Sequence, residues 1–133
     1  MFRCSICDPL KKDIIEVGEI PKEKVLDILD QFPWTEMTNK MKGLKPEEIC
    51  WSPSIEFENK DNRNGVSISV VDDGNEFYIF FKRPKRVKKL FGLIEKLDEN
   101  FSSDRTGQTI SDAREAVIAL LNDDELTLER RWG

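Results

Sequence analysis

Three cysteines, a run of six cations and no histidine set the chemistry open to this chain. Cys4 and Cys7 stand in a C-x-x-C spacing, which suits half of a zinc site or a redox dithiol. A thioredoxin-type pair follows a strand and opens a helix, whereas this pair sits close to residue 1. A structural zinc ion normally takes four Cys or His ligands, and Cys50 is the only other cysteine. One chain would therefore need Asp8 or water to complete the set, or two chains would pool Cys4 and Cys7. Ordinary thiols are the expectation, with no metal and no cofactor.

The missing histidine removes the commonest general base, the Ser-His and Cys-His nucleophile pairs and the commonest metal ligand. No G-x-S-x-G, phosphate-cradling glycine loop, dinucleotide fingerprint or H-E-x-x-H occurs. Carboxylates and lysines alone can catalyse, but among 26 scattered acids no pair stands out. No catalytic residue is nominated, and a non-enzymatic role is expected. Asp61-Asn62-Arg63-Asn64-Gly65 resembles a calcium loop only superficially. Arg63 falls at the third ligand position, and the bidentate glutamate is absent.

Lys82, Arg83, Lys85, Arg86, Lys88 and Lys89 are the densest charge in the chain. The formal charge is −5, so everything outside these six sums to −11. The expected context is a strand ending at Pro84 and a helix beginning at Lys85. Cations in a first helical turn oppose the macrodipole at roughly 0.3–1 kcal/mol each when exposed, so their presence there asks for a reason. One reason is a site for phosphate, nucleic acid or an acidic partner, built from these side chains and backbone N–H groups. The other is internal pairing with Glu56, Glu58 or the Asp123-Asp124-Glu125 run. A second candidate is the aromatic pair Tyr78 and Phe80 on the outer face of the same strand. Left uncovered, the pair forms an apolar patch with a charged rim, as partner-binding surfaces do.

These residues hang on a β-meander. Val66, Ile68 and Val70 alternate with serines, and Phe77, Ile79 and Phe81 alternate with Tyr78 and Phe80. Asp73-Gly74 supplies a two-residue type I′ turn. That loop sets Val70 opposite Phe77, Ile68 opposite Ile79, Val66 opposite Phe81, Ser69 opposite Tyr78 and Ser67 opposite Phe80. The preceding strand, near 54–59, pairs through a longer, more mobile loop, with Phe57 opposite Ile68 and Ile55 opposite Val70. Strands are thus expected near 54–59, 66–72 and 75–83, and helices near 21–32, 85–100 and 110–122. The helical stripe in 85–100 is Val87, Leu90, Phe91, Ile94, Leu97 and Phe101.

Residues 1–12 show no clear period, and Asp13 to Ile20 reads as an extended edge segment. Met37 and Met41 belong to a short helix closed by Gly43, and Pro46 opens one further turn. Phe101 to Gln108 reads as a polar loop, and the stretch from Leu126 to Gly133 as an edge strand or loose tail. The architecture expected is one α+β domain over 1–133, a small antiparallel meander with helices mainly on one face.

Apolar residues at 38% and charged residues at 35% describe a globular chain with a well-charged surface. No apolar run approaches the ~20 residues that span a bilayer, and no signal-peptide h-region opens the chain. An odd cysteine count suits a reducing compartment, so a cytoplasmic location is expected. The functional expectation is a domain that binds another protein, such as an inhibitor or an immunity-type protein that neutralises its partner. The alternative is a phosphate or nucleic-acid binder using residues 82–89.

Overall fold

Alternation of apolar and polar side chains, clearest in residues 66–81, also runs through stretches where other signals mask it. The computed structural model describes residues 1–71, 76–89 and 92–133. Its strands are β1 (Phe2–Cys7), β2 (Ile15–Ile20), β3 (Ser54–Asn59), β4 (Gly65–Val71), β5 (Glu76–Lys89) and β6 (Ile94–Gln108). They form a six-stranded antiparallel sheet in the order β2-β1-β3-β4-β5-β6. One side chain in two points inward, and apart from Asn59 and Arg83 the inward set is apolar: Phe2, Cys4, Ile55, Phe57, Val66, Ile68, Val70, Phe77, Ile79 and Phe81 are all buried.

The helices are α1 (Lys22–Asp30), α2 (Trp34–Met41), α3 (Ile110–Leu121) and α4 (Glu125–Trp132), with a 3-10 turn over Pro46–Glu48. α3 and α4 lie on the inward face, with α1 beside α3, giving an α+β fold with one continuous core. α3 starts where Thr109 accepts the N–H of Asp112 at 3.1 Å and the Asp112 carboxylate accepts the N–H of Thr109 at 2.9 Å. This reciprocal cap satisfies two donors that have no partner within the helix. Ala113, Ala116, Val117, Leu120 and Leu121 then face the sheet. α4 follows a tight turn in which Asp123 takes φ of 53°, and it seats Leu128 and Trp132 in the core. The sequence suggested an edge strand or loose tail there; the burial of both side chains is what makes it a helix.

β4 and β5 pair as expected, with Val66↔Phe81, Ser67↔Phe80, Ile68↔Ile79, Ser69↔Tyr78 and Val70↔Phe77. The expected Asp73-Gly74 turn lies outside the described residues. β3 and β4 keep the expected parity but slide by two residues, to Ile55↔Ile68 and Phe57↔Val66. The slide brings Gly65 into the strand, and the Asn59 N–H donates to the Asn64 carbonyl at 2.8 Å. The connection is also held down, not mobile. Asn59 and Asn62 donate to Asp123 at 3.3 Å each, and Asn64 donates to Glu125 at 3.0 Å.

Two larger corrections concern β1 and the stretch after Pro84. β1 is an interior strand between β2 and β3, and Phe2, Cys4 and Ile6 supply its alternation. In place of the helix expected near 85–100 and the polar loop expected over 101–108, residues 85–89 continue β5 and 94–108 form β6, while Leu90 and Phe91 of the expected stripe lie outside the described residues. Pro84, which lacks a donor, sits where β6 bulges. Arg83 pairs with Phe101 and Lys85 with Asp98, so Glu99 and Asn100 face one residue. The strand continues past the proline, and its cations meet no helix dipole. β4 ends opposite Lys82, so from Arg83 onward β5 and β6 run as a two-stranded arm beyond the sheet.

Candidate partner-binding surfaces

Helices cover one face of the sheet; the other stays largely open. On that outer face β5 presents Glu76, Tyr78, Phe80 and Lys82, and β4 presents Ser67 and Ser69. Tyr78 and Phe80, two residues apart, meet edge to face with ring centroids 6.3 Å apart. β2 lies at the far edge beyond β1, so the Asp13–Ile20 stretch does not reach them. Among the described residues, the end of α2 and the connection from it to β3 overhang. Met41, Ile49 and Ser52 join Tyr78, Phe80 and Ser69 around a depression of about 580 Å³. Both aromatic side chains are half-buried and line its floor. Met41 and Ile49 carry no signal of this role in the sequence, because no local spacing tells that the end of α2 and the connection after it fold back over β4 and β5.

Around the depression the sheet side is acidic, with Glu56, Glu58, Glu76 and Asp104. Lys82 answers two of these, reaching Glu56 at 2.7 Å and Glu58 at 2.9 Å. Its route crosses β4 at Gly65, where an added Cβ would lie 3.6 Å from the lysine Cε. Partial burial works against the Lys82 charge, but hydrogen bonds and attraction from the two glutamates outweigh it and raise the pKa. On the loop side, Lys42 and Lys45 offset Glu47 and Glu48.

The six basic residues are not one site. Lys82 is held by Glu56 and Glu58. Arg83 is 4% exposed, and its guanidinium grips Glu129 of α4 through two bonds of 2.8 and 2.9 Å. It also donates to the Phe81 carbonyl at 3.0 Å and to Ser103 Oγ at 2.6 Å, and it stacks on the Phe81 and Phe101 rings. Arg83 therefore fastens α4 to the sheet, with four of its five donors bonded within the chain. Lys85 lies 5.1 Å over the Phe101 ring on the inner side of the arm. Among the described residues, no carboxylate makes an ion pair with Lys85, Arg86 or Lys88, and all three side chains are exposed. The Lys89 backbone pairs with Ile94.

Cys4 and Cys7 lie three residues apart on β1, so their side chains leave opposite faces of the strand and do not converge on one ion. Cys4 is wholly buried against the core, and burial, with Glu16 and Glu56 nearby, pushes its thiol up to about 11. Among the described residues no three Cys, Asp or Glu side chains are grouped as a metal would need, and no helix is long and apolar enough to cross a membrane. Compared with known protein families, curated proteins and solved structures, the chain matches none.

Proposed function

We propose that the chain is a non-enzymatic protein-binding domain whose recognition surface is the Tyr78–Phe80 depression. One observation carries this reading: an aromatic pair lines an open hollow on the sheet face opposite α3 and α4. Hot spots of protein interfaces are commonly aromatic side chains in pockets ringed by polar groups. The carboxylates on the sheet side favour a partner segment with an apolar anchor between cations. Neutralising such a basic partner, as an inhibitor or immunity-type protein does, is the biological role we infer. Free Cys4, Cys7 and Cys50 support a reducing compartment such as the cytoplasm.

The test is affinity capture from the native host with wild-type chain and with the Tyr78→Ala/Phe80→Ala variant. Binding of each purified candidate is then measured against both. A true partner should bind the variant at least about 30-fold more weakly, from ~2 kcal/mol for one aromatic hot spot. Equal affinity, with the variant's circular dichroism unchanged, would defeat the reading.

A second reading, an anion or nucleic-acid site on the arm, draws support from the exposed Lys85, Arg86 and Lys88. It requires binding that weakens steeply with salt and falls on charge reversal of these residues. Absence of any nucleic-acid binding at low salt removes it.

A further inference from the structure

The geometry points to a second copy of this chain as an occupant of the Tyr78–Phe80 depression, with the outer faces of two sheets stacked so that each arm lies over the other copy's hollow. This rests on the reading of that hollow as a protein-docking surface.

The arm itself is the first reason. From Arg83 to Lys89, β5 is paired with β6 alone. A two-stranded ribbon without a further layer is marginal in water. Near its tip this one leaves Leu93 85% exposed, and Leu97, opposite Arg86 on the outer side, 46% exposed. Side chains of this size in such a position are normally covered by something.

The pattern along β5 says by what. Both bulges between β5 and β6 place their extra residue on β6, so the alternation of β5 runs unbroken. Phe77, Ile79, Phe81 and Arg83 face inward and are buried. The outer side therefore carries, in order, Glu76, Tyr78, Phe80, Lys82, Pro84, Arg86 and Lys88. One half is acidic and aromatic; the other half is basic.

Such a strand is complementary to itself when two copies lie antiparallel, face to face, about a two-fold axis crossing β5 at Lys82. Glu76 of one copy then meets Lys88 of the other, Tyr78 meets Arg86, and Phe80 meets Pro84. These are an ion pair, a cation over an aromatic ring and an apolar contact. The two Lys82 side chains at the axis would repel, but each is drawn sideways across Gly65 onto Glu56 and Glu58 of its own chain. Sheets that stack face to face keep their strands within about 30° of alignment, about 10 Å apart, and an antiparallel stack of two β5 strands is of this aligned class. The contact is isologous and closes as a dimer.

Sedimentation velocity over a concentration series at low and high salt tests this, on the full chain. Wild type should dimerise, more weakly at high salt. Glu76→Lys alone and Arg86→Glu/Lys88→Glu together should each raise the dimer dissociation constant by about tenfold or more. Glu76→Lys combined with Lys88→Glu in one chain should restore dimerisation, because the exchanged charges face each other again. Circular dichroism confirms that each variant folds. A wild type that stays monomeric at roughly 100 μM in low salt overturns the proposal, as does a dimer indifferent to these changes. Arg86→Glu/Lys88→Glu that abolishes nucleic-acid binding and leaves the oligomeric state unchanged overturns it too, and gives the arm to a polyanion.

The two readings fail separately. A monomeric wild type that still loses a purified partner on Tyr78→Ala/Phe80→Ala removes the dimer and keeps the partner site. A charge-swapped dimer, with partner binding indifferent to Tyr78→Ala/Phe80→Ala, supports the dimer and removes the partner site.

Discussion

Removing Glu129 strands a buried cation, and the cost should depend on which member of the Arg83–Glu129 pair is removed. The Arg83 side chain is 5% exposed and that of Glu129 is 43% exposed. Glu129→Ala leaves the guanidinium inside, with the Phe81 carbonyl, Ser103 and two aromatic rings but without its counter-charge. Breaking a fully buried pair this way costs about 3–5 kcal/mol; water already reaches Glu129, so about 3 kcal/mol is expected. Arg83→Met keeps much of the packing volume and leaves a carboxylate that can turn into solvent, at about 1.5 kcal/mol. The double variant Arg83→Met/Glu129→Ala should therefore be more stable than Glu129→Ala alone. Urea unfolding followed by circular dichroism measures all three, and Glu129→Ala should also lower the melting temperature by roughly 10 °C. If Glu129→Ala costs less than about 1 kcal/mol, or the second substitution fails to recover stability, the buried-cation account of how α4 is held is wrong.

Asp8 is buried, which alone would raise its pKa, yet the Leu10 N–H and the Lys40 ammonium at 2.9 Å outweigh that and lower it. Its contribution is present above the unfolded carboxylate value of about 3.9 and lost as pH falls towards the lower folded value. Asp8→Asn should accordingly flatten the fall of the urea midpoint below about pH 4, and an unchanged acid limb would refute the pairing. A thiol reagent at about pH 8 should label exposed Cys50 readily and Cys4 only on unfolding, read by mass spectrometry. Labelling of native Cys4 at the rate of Cys50 would contradict its place in the core. Gly107 takes φ of 66° in the bulge opposite Tyr78, and an added Cβ would find ordinary van der Waals space, 3.6 Å from Glu76 Oε1. Gly107→Ala should cost about 1–2 kcal/mol, all of it conformational, and a neutral effect on the urea midpoint would show that the bulge relaxes.

What could be read from the sequence follows from which forces act locally. The β4–β5 register was legible because seven successive residues on each side obey one period, and a slip would expose an entire apolar set. α3 was legible because its cap and its stripe agree. β1 was hidden by its own cysteines. Cys4 is an apolar core residue flanked by Phe2 and Ile6, and the C-x-x-C spacing overlies that alternation. The β5–β6 arm misled for a different reason. Val87, Ile94, Leu97 and Phe101 do recur at helical spacing, but a stripe forms a helix only if something packs against it, and Ile94 and Leu97 are exposed. The conflict between four cations, Lys85, Arg86, Lys88 and Lys89, and a helix N-terminus is itself the clue that no helix starts there. Of the candidate sites, the outward direction of Tyr78 and Phe80 followed from parity alone. The overhang of Met41 and Ile49, and the capture of Lys82 and Arg83 by glutamates distant in sequence, depend on tertiary placement that no local pattern encodes.

The position of β1 has a consequence for how the sheet is assembled. β3 to β6 follow one another along the chain and pair with their sequence neighbours, so each closure spans a short loop. β1 instead meets β3 through Cys7↔Ser54, after β2, α1, α2 and the 3-10 turn have intervened. Closing so long a loop loses more chain entropy before any contact rewards it. The β1–β2 hairpin should thus join a half-built sheet as a late, separate unit, and the β1–β3 seam should be the first to part under native conditions. Hydrogen exchange would show the β1 and β2 amides opening together, ahead of those in β4.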